Sequence, residues 1–255
     1  MFSELRDDID NYALAPDMFL AVPFVPSEED VVEAMLTLAG VGSKDVLYDL
    51  GSGDGRIVIA AARDRGTRCV GIEIDPLRIA DAMEQAGWAG VECLVDFVED
   101  DIFAADFSEA TVVTLYLLES VNVDLRPRLL AQLRPGARIV SHAFAMGDWK
   151  ADDALRLSGT TVYKWIVPAR VAGAWEWERQ DGRQYRVELQ QKFQAVTGNA
   201  WLAGQPACLK SAMLCGSRLK VELQENDTAP IDSFALAFAN NRLQTVTARS
   251  QTIRV

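Results

Sequence analysis

The chain predicts an α/β fold: a parallel sheet with helices on both faces, followed by an antiparallel β extension. Three observations carry this. The run VLYDLGSGDGRIVIAAA, residues 46–62, reads as strand, glycine turn and helix in that order. Apolar strand-like stretches and helical stretches then alternate as far as Phe144. After about residue 168 the pattern changes to short strands separated by turn residues.

Residues 1–26 read as irregular, with Pro16, Pro23 and Pro26 as breakers. Ser27 predicts a helix start. Its hydroxyl suits a cap, and Glu28, Glu29 and Asp30 favour the positive end of the dipole. Val31, Met35 and Leu38 recur on one face, and Gly40 ends the helix. Strands follow near 45–49, 68–74, 91–99, 111–118 and 137–144, with helices near 55–65, 76–87 and 121–133. VVTLYLL and ARIVSHAF are apolar on both faces, as in a parallel sheet covered on both sides. Ligands of such sheets bind at the carboxyl ends of the strands, where the glycine turn, Glu73 and Asp101 fall.

In the last third, WEWERQDGRQYRVELQQKFQ alternates around Asp181-Gly182, a hairpin signal. Further strands are expected near 207–215, 218–224, 231–239 and 242–248, forming a small barrel or sandwich or completing the first sheet. The division expected is 1–168 for the α/β domain and 169–255 for the β extension.

Composition narrows the class. The 255 residues suffice for a large core. Neither a spanning apolar run nor a signal peptide is evident, so a cytoplasmic protein without a membrane span is expected. Cys69, Cys93, Cys208 and Cys215 lack C-x-x-C spacing; Cys69 and Cys93 read as core thiols, and neither disulfides nor a metal site is expected. Residues 1–150 carry a net charge of −15 and residues 151–255 one of +3. An acidic first half repels nucleic acid and attracts a cationic ligand; the plainer reading of that charge is solubility.

The glycine turn is specific. Gly51, Gly53 and Gly55 alternate, Asp49 precedes them and Asp54 lies among them. The dinucleotide fingerprint G-x-G-x-x-G does not fit, and no lysine follows as a phosphate loop requires. The two acids repel a polyphosphate and suit a ligand with a cationic amino acid end.

This segment resembles motif I of the class I S-adenosyl-L-methionine (SAM) methyltransferases, whose fold is a Rossmann-like sheet. VGIEIDP, residues 70–76, resembles that fold's second strand, and VEDDIF, residues 98–103, its third strand end. The resemblance implies that Glu73 holds the ribose hydroxyls, with Ile74 beside it, and that Asp101 reaches the adenine amino group, flanked by Ile102 and Phe103. Asp49, Gly51, Ser52, Gly53 and Gly55 would hold the amino acid end. More narrowly, residues 22–150 resemble the small protein-lysine methyltransferases that modify the ATP synthase and the adenine nucleotide translocase. The matching strings are PFVPSEEDVVEAMLTLAGVGSKDVLYDLGSGDGRIVIAAA, ATVVTLYLL and RPGARIVSHAF. There Ser27 would lie near the cofactor's methionine end and Tyr116 by the transferred methyl. The chain departs from the eukaryotic members in lacking a membrane segment and in adding the β extension. VTLYLLE also lacks the [ND]-P-P-[YF] motif of enzymes acting on adenine N6 or glutamine amides.

Methyl transfer from a sulfonium is an in-line displacement, in which positioning supplies ~7–11 kcal/mol. A lysine amine must first lose its proton. The candidates are Tyr116, Glu119 and His142, the single histidine. Each has a plainer reading: core aromatic, surface acid, structural histidine. Trp165, Trp175, Trp177 and Trp201 line a substrate groove or belong to β core. The acceptor expected is a protein lysine or a cationic small molecule. The alternatives are a small-molecule O- or N-methyltransferase and a SAM-binding module without catalysis.

Overall fold

A computed structural model of the chain describes residues 26–249. Pro23, Phe24 and Val25 of the PFVPS string, like Pro16, lie outside the described residues.

The helix α1, Glu29–Ala39, begins after Glu28 rather than on a Ser27 cap. No side chain caps it; the Ser27 hydroxyl is engaged elsewhere. Gly40, at φ 63°, closes it with its N–H on Leu36 and Thr37 carbonyls. Then follow β1 (Val46–Leu50), α2 (Arg56–Arg65), β2 (Arg68–Glu73), α3 (Pro76–Ala89), β3 (Val95–Glu99), β4 (Val112–Leu115), α4 (Glu119–Gln132) and β5 (Arg138–His142). Pro76 opens α3, and the Asp75 carboxylate caps it by accepting from Leu77 N. The strand expected over 91–99 starts only at Val95: a turn joins Val91 to Leu94, and Cys93 is exposed rather than a core thiol.

Two strands completing this sheet were not anticipated: β6 (Asp153–Leu157) and β7 (Thr160–Ile166), a hairpin. The sheet order is β3-β2-β1-β4-β5-β7-β6. Its first five strands are parallel, and β7 runs antiparallel to β5. Alternate residues feed opposite cores. Leu47, Cys69, Val112 and Val140 pack with α1 and α2. Tyr48, Val70, Val113 and Ile139 pack with α4 and Trp165. The chain reverses its order of strand addition between β1 and β4, so a crevice opens outside their carboxyl ends.

The remaining strands are β8 (Gly173–Glu178), β9 (Gln184–Lys192), β10 (Ala195–Leu202), β11 (Gln205–Cys215), β12 (Arg218–Gln224), β13 (Asp232–Ala239) and β14 (Arg242–Arg249). They form one antiparallel meander in sequence order, not a two-sheet sandwich. The sheet curls on itself. Trp177 of β8 meets Phe234 of β13 edge-on at 5.2 Å, and Trp175 meets Phe238 at 5.1 Å. Curling gives a sheet with one apolar face a core of its own, around Tyr185, Leu219, Val221 and Leu236. Among the described residues several contacts tie the meander to the first sheet, Lys192 Nζ on Asp148 Oδ2 at 2.9 Å and Arg126 over the Phe193 ring among them. Gln194 accepts from Trp149 Nε1 at 2.8 Å and donates to Lys150 O at 2.7 Å, with Phe193 stacked on Trp149. Ala169 N donates to Gly216 O at 2.8 Å.

Among the described residues no helix is long and apolar enough to cross a membrane.

Candidate functional site

The glycine turn joins β1 to α2 at the mouth of the crevice. Gly51, Gly53 and Gly55 all have positive φ, at 80°, 54° and 77°. L side chains rarely adopt such angles, so the sequence requires glycine there. A Cβ on Gly55 would also lie 2.7 Å from the Phe97 ring. Gly51 N and Ser52 N both donate to Ile72 O, which closes the turn onto β2. Among the described residues the Ser52 hydroxyl is buried without a partner, facing the bare Cα of Gly71.

Glu73 ends β2 and is buried. Its Oε2 accepts from Gly53 N at 2.8 Å; its Oε1 accepts from Ile74 N at 2.9 Å and Asp75 N at 3.1 Å. β2 and β3 pair with Glu73 opposite Glu99, so Ile74 and Asp101–Ile102 leave the sheet at the same end. Ile74 is 39% exposed, an apolar surface open to a ligand ring. Asp101 is exposed, and its Oδ1 accepts from Phe103 N at 2.8 Å; Ile102 and Phe103 rest on the core.

Asp49 lies beneath the turn, only 2% exposed. Thr114 of β4 donates to its Oδ1 at 2.7 Å, and Oδ2 has no hydrogen-bond partner among the described residues. Burial raises its carboxyl to about 7, with the nearby Glu73 and Asp54 charges adding to the rise and Thr114 opposing it. Asp54, by contrast, is already paired. Arg56 grips its carboxylate through Nε and Nη2, so it is not free for a cationic ligand. The same arginine donates from Nη1 to Ser27 O at 2.7 Å and pins the start of α1 to the turn.

On the other lip stand residues from the ends of β4 and β5. Tyr116 stacks on His142 with ring centroids 3.9 Å apart and planes 24° apart; Phe144 lies 6.4 Å beyond. His142 Nδ1 is 2.9 Å from Ser27 Oγ. Burial holds this imidazole below its ordinary basicity. Glu119 is the first residue of α4, exposed on its rim. The four tryptophans stand apart from this group. Trp165 is in the first core and Trp175 in the second. Trp177 and Trp201 line a cavity of about 620 Å³ on β8–β10 with Glu176, Glu178 and Arg186.

The residues fit SAM. A buried carboxylate at a strand end, three of its about four acceptor sites taken by backbone N–H groups, keeps one for a ribose hydroxyl. A backbone-walled turn leads to the N-terminus of α2, and Asp49 keeps one carboxyl oxygen without a hydrogen bond among the described residues. Sequence reasoning had no signal for the Ser27–His142 bond, which joins positions 115 residues apart. The Arg56 clamp was legible only in part, as a basic residue two positions after Asp54.

The model of the ANTKMT methyltransferase domain matches residues 49–153. A protein-lysine N-methyltransferase of Saccharolobus islandicus is 42% identical over 151 residues, 57% of this chain and 94% of that protein. The mouse adenine nucleotide translocase lysine N-methyltransferase is 34% identical over 51% of this chain; the chain spans 57% of that protein's length. Among solved structures, an RNA methyltransferase of Salinibacter ruber in complex with S-adenosyl-L-homocysteine is 58% identical. The match covers 58% of this chain and 96% of that one, with a TM-score of 0.57.

Proposed function

This chain belongs to the ANTKMT methyltransferase family and is a SAM-dependent methyltransferase; from that premise we propose that it methylates lysine side chains of proteins. The observation that carries this reading is the stacked Tyr116–His142 pair beside the glycine turn. An aromatic wall attracts an ammonium through its π faces, and an imidazole kept neutral by burial accepts the proton that the amine must lose. The names of the archaeal and mouse relatives support the same acceptor.

Cofactor contacts follow the fit described above. Glu73 would hold the ribose hydroxyls, with Ile74 and Ile102 flanking the base and Asp101 at its edge. Asp49, Gly51, Ser52, Gly53, Gly55 and Ser27 would surround the amino acid end. Bound there, SAM supplies an electrophilic methyl. Tyr116 orients the amine, His142 takes its proton, and Glu119 adds negative potential at the rim. Residues 1–168 form the SAM-binding domain in this reading, and 169–255 an antiparallel β extension. A cytoplasmic setting is supported by the free, exposed thiols of Cys93, Cys208 and Cys215.

The Salinibacter relative's name favours a second reading, methylation of RNA. The −15 charge of residues 1–150 opposes it, because nucleic acid binding rests on basic residues at phosphates. One experiment separates the two. Lysate is incubated with the enzyme and radiolabelled SAM, then treated with protease or with ribonuclease. Label removed by protease and mapped by mass spectrometry to lysine supports the proposal; label removed by ribonuclease overturns it.

A further inference from the structure

We propose that Ser27 is a positioning residue that sets the tautomer of His142, and that filling the cofactor turn makes Nε2 of that imidazole the proton acceptor. The proposal rests on the acceptor being an amine, as read above.

Ser27 and His142 are 3% and 6% exposed. The 2.9 Å contact between Oγ and Nδ1 is the one side-chain hydrogen bond of each among the described residues, and Nε2 has no partner there. A hydroxyl and a neutral imidazole share two protons, so two arrangements exist. Either the hydroxyl donates to Nδ1 and Nε2 carries the ring proton, or Nδ1–H donates to the hydroxyl and Nε2 keeps a lone pair. A buried hydroxyl seeks an acceptor for its own proton, and this chain offers it Nδ1. The first arrangement is therefore the resting one, and in it Nε2 cannot act as a base.

Ser27 is also tied to the cofactor turn. Its carbonyl accepts from Arg56, which grips Asp54 in that turn. Arg56 thus holds Ser27 against the turn that would take the amino acid end of SAM, and in this proposal the hydroxyl comes within reach of its carboxylate. Hydrogen bonds to charged acceptors are roughly twice as strong as neutral ones, so the hydroxyl would turn to that carboxylate. The ring proton then resides on Nδ1 and donates to Oγ, and Nε2 is open. An ammonium would pass its proton to Nε2, forming imidazolium, and the amine would be left with the lone pair that a methyl acceptor needs. Tyr116 stacks on the ring and Ser27 bonds its Nδ1, with Phe144 stacked on Tyr116 and the Arg56–Asp54 pair behind Ser27. Burial disfavours the imidazolium form of the ring.

The chain has a single histidine, so ¹⁵N-labelled imidazole gives one pair of ring signals. S-Adenosyl-L-homocysteine, which has the carboxylate and no transferable methyl, is titrated to saturation. The free enzyme is expected to be Nε2-protonated and to shift toward Nδ1-protonated on binding. Ser27→Ala should abolish the shift at saturating ligand, and Ser27→Thr should restore it. A tautomer unmoved by ligand in the native protein, or a shift that persists in Ser27→Ala, overturns the proposal. No acceptor is present in this measurement, so failure to find methylated lysine would leave its outcome intact.

Discussion

Gly53 donates its backbone N–H to Oε2 of Glu73 at 2.8 Å, across 20 residues of sequence. One carboxylate thus shapes the glycine turn and, in the proposed site, would also accept from the ribose. Glu73→Ala removes the acceptor for three backbone N–H groups and for the ribose. It should weaken S-adenosyl-L-homocysteine binding by ~1–3 kcal/mol. Glu73→Gln, which keeps one carbonyl acceptor, should lose less. Calorimetry that finds full affinity in Glu73→Ala would remove Glu73 from the site.

Gly53→Arg should abolish cofactor binding, because a long side chain at a φ of 54° fills the turn and strains it. The fold should survive, since the turn lies at the sheet's open end. A melting curve close to the native one with no calorimetric heat of binding is expected. Retained affinity would contradict the site.

Asp49 makes a pH prediction. Its ordinary carboxyl value is 3.8, and burial raises it to about 7 in the folded state. Between those values the folded protein binds the extra proton, so the contribution of this group to stability falls as pH rises from about 4 to about 7. The melting temperature of the native protein should therefore drop relative to Asp49→Asn across that window and run parallel above it. Cofactor binding that needs the ionised carboxylate should tighten over the same range. A difference between the two melting curves that does not change with pH refutes the buried titration.

Replacing Tyr116 by Phe should reduce turnover more than cofactor affinity, because the phenol stands on the acceptor lip beside His142. His142→Gln should lower kcat by about 10²–10⁴-fold, the usual loss of a general base. It should also flatten the acidic limb of the rate profile, which in the native enzyme falls below the histidine's ordinary 6.5 because burial disfavours the imidazolium. Rates that keep that limb in His142→Gln would assign the titration to another group.

The meander should be a folded unit docked on the catalytic sheet. Gln194→Ala removes the partner of buried Trp149 Nε1 and a bond to Lys150 O, a loss of ~1–3 kcal/mol. Limited proteolysis should cut more readily between the two sheets in this variant than in the native chain. Rapid loss of everything after residue 170 from the native protein would refute a folded extension.

Local chemistry made much of this protein legible in its residues. Apolar runs on both faces foretold the parallel strands. Three alternating glycines with an acid before them foretold the turn, since backbone angles depend on the residue itself. Asp181-Gly182 foretold the β8–β9 hairpin in the same way. Other features needed the folded chain. The hairpin of β6 and β7 is short and mixed in polarity, and its place follows from pairing with β5. The meander curls because rings on β8 and β13 meet, which strand signals alone leave open between barrel, sandwich and sheet. Asp54 looked free for a ligand and is held by Arg56. Ser27 looked like a helix cap and bonds His142 instead. Sequence alone determined the residues that need special backbone angles and the periods that bury. Tertiary structure decided the partners of each polar group, because hydrogen bonds and ion pairs act over ångströms in space between residues far apart in the chain.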